Sequence, residues 1–109
     1  MVSVAAAENR IFQALADPSR RAIFVSLTRG EAAVKDLTER FDISQPAVSQ
    51  HLAALKDAGL VRGRREGRCV YYRVEPGGLN PVIHWILHYR AFWTTHLDRL
   101  EKLLNKMDP

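Results

Sequence analysis

The sequence predicts a single, mainly α-helical domain of five helices, with one small β-hairpin between the fourth and the fifth. Three observations predict it. Apolar residues recur at intervals of three and four in separate short segments. Val70, Tyr72 and Val74 alternate with period two within a stretch, Leu60 to Glu75, that a Glu-Gly pair interrupts. Asp17-Pro18, Ser44 shortly before Pro46, and Asn80-Pro81 each read as a capping residue followed by proline in a first helical turn, while Gly30 and Gly59 read as stops.

The first helix spans about Val4 to Ala16, with Ile11, Phe12, Leu15 and Ala16 on its apolar side. The second starts at Pro18, turns Ile23, Phe24 and Leu27 inward and stops at Gly30. A third, about Ala33 to Phe41, aligns Val34, Leu37 and Phe41. Asp42-Ile43 leaves room only for a tight turn before Ser44, whose hydroxyl caps a fourth helix over Gln45–Ala58. Gly59 suits a left-handed position just past that helix, and Leu60 can fold back onto Leu55 in a Schellman ending.

Strands at Leu60–Arg65 and Arg68–Glu75 flank Glu66-Gly67 as a two-residue turn. Val70, Tyr72 and Val74 share the core face, so Cys69, Tyr71 and Arg73 face outward. Both tyrosines read as strand-packing residues. The last helix is expected as one rod from Pro81 to Met107, roughly 40 Å long at about 1.5 Å per residue. Ile86, Tyr89, Trp93, Leu97, Leu100, Leu104 and Met107 form a near-heptad seam, widened by Ile83, Trp85, Phe92 and Leu103. One small domain cannot cover both sides of such a helix. The expected interface with a second copy therefore uses Ile11, Leu15, Trp85, Ile86, Tyr89, Phe92, Trp93, Leu97, Leu100 and Leu104.

The 109 residues fit one domain over 1–109, with a helix-turn-helix at 33–58, a hairpin at 60–75 and a dimerisation helix at 80–107. No run has the length of a membrane span, and no basic stretch precedes an apolar core at the N-terminus, so a cytoplasmic protein without membrane contact is expected. A single cysteine excludes an internal disulfide and fits a reducing compartment. The net charge of +4 is localised: Arg62, Arg64, Arg65, Arg68 and Arg73 stand against Glu66 alone, and the remaining 11 basic residues are balanced by 11 acidic ones. Such a focus points to contact with a polyanion.

Two helices joined by a tight turn and followed by a basic hairpin make a winged helix-turn-helix, a DNA-binding arrangement. The fourth helix fits the part. Val48, Leu52 and Leu55 form its inner stripe, while Ala53 and Ala54 allow close approach to a groove about 12 Å wide. Gln45, Ser49 and Gln50 offer hydrogen-bonding groups to base edges. The DNA-contact set is therefore Ser44, Gln45, Pro46, Ala47, Ser49, Gln50 and His51, with Arg62, Arg64, Arg65 and Arg68 for phosphates. His51 lies beside the buried stripe, where a structural role competes with a phosphate contact.

The segments "LADPSRRAIFVSL", "SQPAVSQHLAALKDAGLV" and "RREGRCVYYRV" resemble the ArsR family of bacterial winged-helix repressors, over about Ile11 to Val74. The resemblance implies a homodimer formed through the first and last helices, bound to a palindromic double-stranded operator. It leaves room for a small-molecule effector. The family's metal sensors carry a Cys-x-Cys pair entering the third helix, but Ala33 and Lys35 stand at those places here. A second family site takes Asp, His and Glu from the last helices. His84, His88 and His96 are candidates, but Val82 and Arg99 replace the acidic partners, so no metal or other cofactor is expected. Two alternatives stay open: a winged helix serving protein–protein assembly, and a metal-responsive repressor using those histidines. No nucleophile–base motif or glycine-rich phosphate loop suggests an enzyme.

Overall fold

The computed structural model of the chain describes residues 4–107. Helix α1 spans Val4–Ala16, α2 Pro18–Leu27, α3 Val34–Phe41 and α4 Gln45–Asp57. Strand β1 is Ala32–Ala33, β2 Val61–Glu66 and β3 Cys69–Val74, and the chain ends in α5, Asn80–His88, and α6, Arg90–Met107. The architecture is mainly helical with a hairpin wing, as expected. None of the described helices is long and apolar enough to cross a membrane.

Two of the three expected caps form where the sequence placed them; Asn80 instead is the first residue of α5, whose N-cap position falls to Leu79 without a side-chain cap bond. The backbone N–H of Arg20 donates to Asp17 Oδ1 at 3.0 Å, and that of Ala47 to Ser44 Oγ at 3.2 Å. At the end of α4 the N–H of Leu60 reaches the carbonyl of Leu55 and that of Gly59 the carbonyl of Lys56, both at 2.9 Å. Those two bonds define a Schellman ending, and Gly59 at φ +79° supplies its left-handed residue. Asp42, at φ 52°, makes the turn between α3 and α4; aspartate is among the few side chains that tolerate that region.

The core sits where α1, α2, α3 and α4 meet the base of the sheet. Ile11, Ile23, Leu37, Val48, Leu52, Leu55 and Leu60 are its most deeply buried large side chains, and Tyr72 and Val74 of β3 close it from the sheet side. On the apolar side of α1, Ala14 is buried with Ile11, whereas Phe12 is 45% exposed.

Three expectations are corrected. The sheet has three strands in the order β1-β3-β2, because Ala32 and Ala33 pair with Tyr72 and Tyr71. Two alanines are too few to show alternation, and their pairing partners lie some forty residues away. Ala33 is thereby fixed as an extended residue, so α3 starts one residue later than the spacing predicted. The hairpin turn is shifted by one: Glu66 pairs with Cys69, which leaves Gly67-Arg68 as the loop. Gly67 at φ +62° has the sign that the first central residue of a type II′ turn requires.

The expected rod is broken. Tyr89 leaves the helical region at φ −105°, ψ 32°, and its N–H closes a tightened last turn on Ile86 at 3.1 Å. In an unbroken helix residues 85 and 93 would be about 12 Å apart along the axis. Here the rings of Trp85 and Trp93 meet edge-on at 6.2 Å, and Trp85 also contacts Phe12 of α1 at 5.8 Å and Tyr89 at 5.6 Å. The bend gathers these aromatic rings against α1. Beyond it α6 runs outward, and the Cα radius of gyration is 17.1 Å against about 13 Å for a compact chain of this length.

Candidate nucleic-acid interface

Helix α4 divides its residues between two surfaces. Val48, Leu52 and Leu55 are each 0% exposed and anchor the helix in the core. Gln45, Pro46, Ser49, Gln50 and Ala53 are exposed on the opposite side. Ala47 and Ala54 are half-buried between them. The outer surface is therefore short, polar and uncharged from Gln45 to Ala53, with the exposed Lys56 following in the last turn, and a capped and packed helix holds it in place.

The wing stands beside the start of this surface. An open cleft of about 390 Å³ is lined by Gln45 and Ser49 of α4, by Arg68, Cys69, Val70 and Tyr72 of the wing, and by Ala33, Val34 and Lys35 at the head of α3. Gln45 and Ser49, expected to face bases, thus share one concavity with Arg68, expected to contact phosphate. Lys35 was not among the expected contact residues. Its one local signal is a cation in the first turn of α3, where the helix dipole does not favour positive charge.

The wing arginines are not equivalent. Arg62 pairs with Glu75, Nε to Oε2 at 2.9 Å. Arg64 donates from Nε to Glu31 Oε1 and Oε2 at 3.1 and 3.2 Å, from Nη2 to Glu31 Oε1 at 2.6 Å, and from Nη1 to Glu66 Oε2 at 2.6 Å. Its guanidinium lies 4.6 Å from the centroid of the Tyr71 ring. The hydrogen bonds from Arg64 hold the Glu31 carboxyl below its ordinary pKa, and those same bonds raise the pKa of Arg64. Arg65 and Arg68 are exposed, beside and within the turn. The Cys69 sulfur lies close enough to the Tyr71 hydroxyl to push that phenol's pKa up.

His51 is half-buried, with a buried Nδ1 that has no hydrogen-bond partner, and it lies near enough to Asp17, at the start of α2, to contribute to the lowered pKa of that carboxyl. Of the other histidines, His84 is exposed and the remaining two meet aromatic rings. His96 stacks on Phe92 with centroids 3.9 Å apart and its Nδ1 lies 2.8 Å from the Phe92 carbonyl oxygen, while His88 meets Tyr89 edge-on at 5.0 Å. Among the described residues no group of three or more His, Cys, Asp or Glu side chains could hold a metal ion.

A capped helix-turn-helix whose outer helix shares a cleft with a basic wing defines a winged-helix DNA-binding transcriptional regulator. Residues 17–62 match the family described as "Bacterial regulatory protein, arsR family". The chain is similar to the transcriptional repressor SdpR of Bacillus subtilis, with 37% identity over 81 residues that cover 74% of this chain and 90% of that protein. It is also 40% identical over 97 residues to the HTH-type transcriptional regulator Rv2034 of Mycobacterium tuberculosis, covering 89% of this chain and 88% of that one. Among solved structures, an ArsR-like transcriptional regulator from Rhodococcus sp. RHA1 superposes with a TM-score of 0.72 at 29% identity, over 91% of this chain and 93% of that one. The chain belongs to the ArsR family, whose members are transcription regulators.

Proposed function

We propose that this regulator is a cytoplasmic, homodimeric repressor that binds a palindromic operator. Each subunit lays α4 in a major groove, where Gln45, Ser49 and Gln50 face base edges across the small side chains of Pro46, Ala47 and Ala53. Lys35, Arg65 and Arg68 hold the flanking phosphates, and the hydroxyl of Ser44 stays with its cap. The carrying observation is the cleft that joins Gln45 and Ser49 to Arg68 and Lys35.

The dimer rests on a second observation. Ile83, Ile86, Leu87, Tyr89, Phe92, Leu97, Leu100, Leu103, Leu104 and Met107 are each at least 40% exposed, and Phe12 adjoins them. An apolar surface of that extent on a soluble chain marks an interface. Trp85, Trp93 and Leu15 are partly buried at its edge, whereas Ile11, at 1% exposure, belongs to the subunit core and not to the pairing surface. Two-fold pairing of the tails would set the reading helices about 34 Å apart, one turn of B-DNA. An effector that favours a different angle between the heads would then release the operator.

The test is a fluorescence-anisotropy titration of a palindromic site selected from random duplexes, set against an unselected duplex. Gln50→Ala is expected to cost about 1–3 kcal/mol on the selected site and little on the other. Equal weakening on both would remove α4 from sequence reading. Indifference to any duplex at low salt would leave the wing as a surface for an acidic protein.

A further inference from the structure

Arg64 was read from the sequence as one of the wing's phosphate-binding cations. Its surroundings argue for a different task. In the sheet Arg64 of β2 sits opposite Tyr71 of β3, and Tyr71 sits opposite Ala33 of β1. Glu31 lies immediately before β1, so the Arg64 side chain crosses the full width of the sheet, over the Tyr71 ring, to reach it. Three of the four hydrogen bonds that this guanidinium donates end on Glu31, and the fourth ends on Glu66. An isolated surface ion pair contributes little, but a forked arginine–carboxylate pair laid across an aromatic ring is the geometry in which such a pair holds position.

We propose that Glu31 is a positioning residue for DNA binding: it captures Arg64, straps the wing to the head and withholds that guanidinium from phosphate. The proposal rests on the DNA-binding reading above and refines it. The grip of the wing then falls to Arg65 and Arg68, the two arginines nearest the turn without a carboxylate partner among the described residues. Glu31 fixes the wing's approach to α4 and keeps one charge from strengthening sequence-independent binding.

The experiment measures the slope of log Kobs against log salt concentration for the full chain on an unselected duplex. Each additional phosphate contact steepens that slope by about 0.9. Glu31→Gln frees Arg64, and the slope is expected to steepen by about that amount. Arg64→Lys keeps the charge but loses the fork, so it should move the slope in the same direction. In an Arg64→Ala background, Glu31→Gln should then change nothing, which separates release of Arg64 from simple loss of repulsion between Glu31 and DNA. Circular dichroism on each variant establishes that the fold is retained, and Arg64→Lys carries the test should Glu31→Gln fail to fold.

An unchanged slope in both single variants overturns the proposal. So does a Glu31→Gln effect that persists without Arg64, or a slope that flattens by about one ion in Arg64→Ala alone. A wild-type chain with no salt-dependent duplex binding would overturn the DNA reading itself, and this proposal with it; the other outcomes leave that reading standing.

Discussion

In the head of the molecule Leu37, Val48, Leu52, Leu55 and Leu60 are each 0% exposed, whereas no residue of α5 or α6 is buried. Both regions are built from helices with apolar stripes, but the head folds its stripes onto one another while α6 packs chiefly on α5. The head is finished as a single subunit. The tail keeps Leu97, Leu100, Leu103 and Leu104 about half exposed, an apolar surface that the proposed two-fold pairing would cover. Completeness within one chain separates head from tail, and under the proposed function it separates the element that reads from the element that sets spacing.

The contrast can be broken from either side, and the head should break hardest. Leu52→Ala opens a void under α4 and is expected to cost about 2–5 kcal/mol, read as a lower urea midpoint at unchanged slope. In the tail, Leu100→Glu combined with Leu104→Glu should halve the molar mass in sedimentation equilibrium. It should weaken operator binding by about 2 kcal/mol or more while leaving the far-UV spectrum helical. A loss of fold comparable with that of Leu52→Ala would mean that the tail is part of the same core. Ser44→Ala removes the cap of α4 without touching its outer surface, and about 1 kcal/mol of stability should go with it.

The smallest effect is a pH dependence confined to the head. The hydrogen bond from the Arg20 N–H, followed by smaller contributions that include His51, holds the Asp17 carboxyl below its ordinary pKa. A depressed folded-state value means that this cap stabilises α2 fully above about pH 4 and loses its contribution as pH falls through the folded pKa. Asp17→Asn still caps but carries no charge. The difference in urea midpoint between the two proteins should therefore shrink on acidification from pH 6 to pH 2.5.

Features encoded within five or six residues were legible in the sequence: the caps at Asp17 and Ser44, the Schellman ending at Gly59 and the inner stripe of α4. Each depends on a side chain and backbone groups close by in the chain. What escaped depends on distance. Strand β1 exists because Ala32 and Ala33 meet Tyr72 and Tyr71, and the Glu31–Arg64 contact spans 33 positions. The bend at Tyr89 carries no proline or glycine; it goes with aromatic contacts that include one to α1. Lys35 joins the α4 surface only once the sheet has placed Arg68 across from it. The one-residue error at the hairpin has another origin, since either residue pair containing Gly67 reads as a turn until the pairing of Glu66 with Cys69 chooses between them.

Helix α4 has one more consequence. Gln45, Ser49, Gln50 and Ala53 contribute nothing to the interior, because Val48, Leu52, Leu55 and the two end caps already hold the helix in place. Under the proposed function those four positions form a replaceable address plate on a permanent mount. A duplicated copy of the gene could acquire a new target by changing them, without having to solve folding a second time.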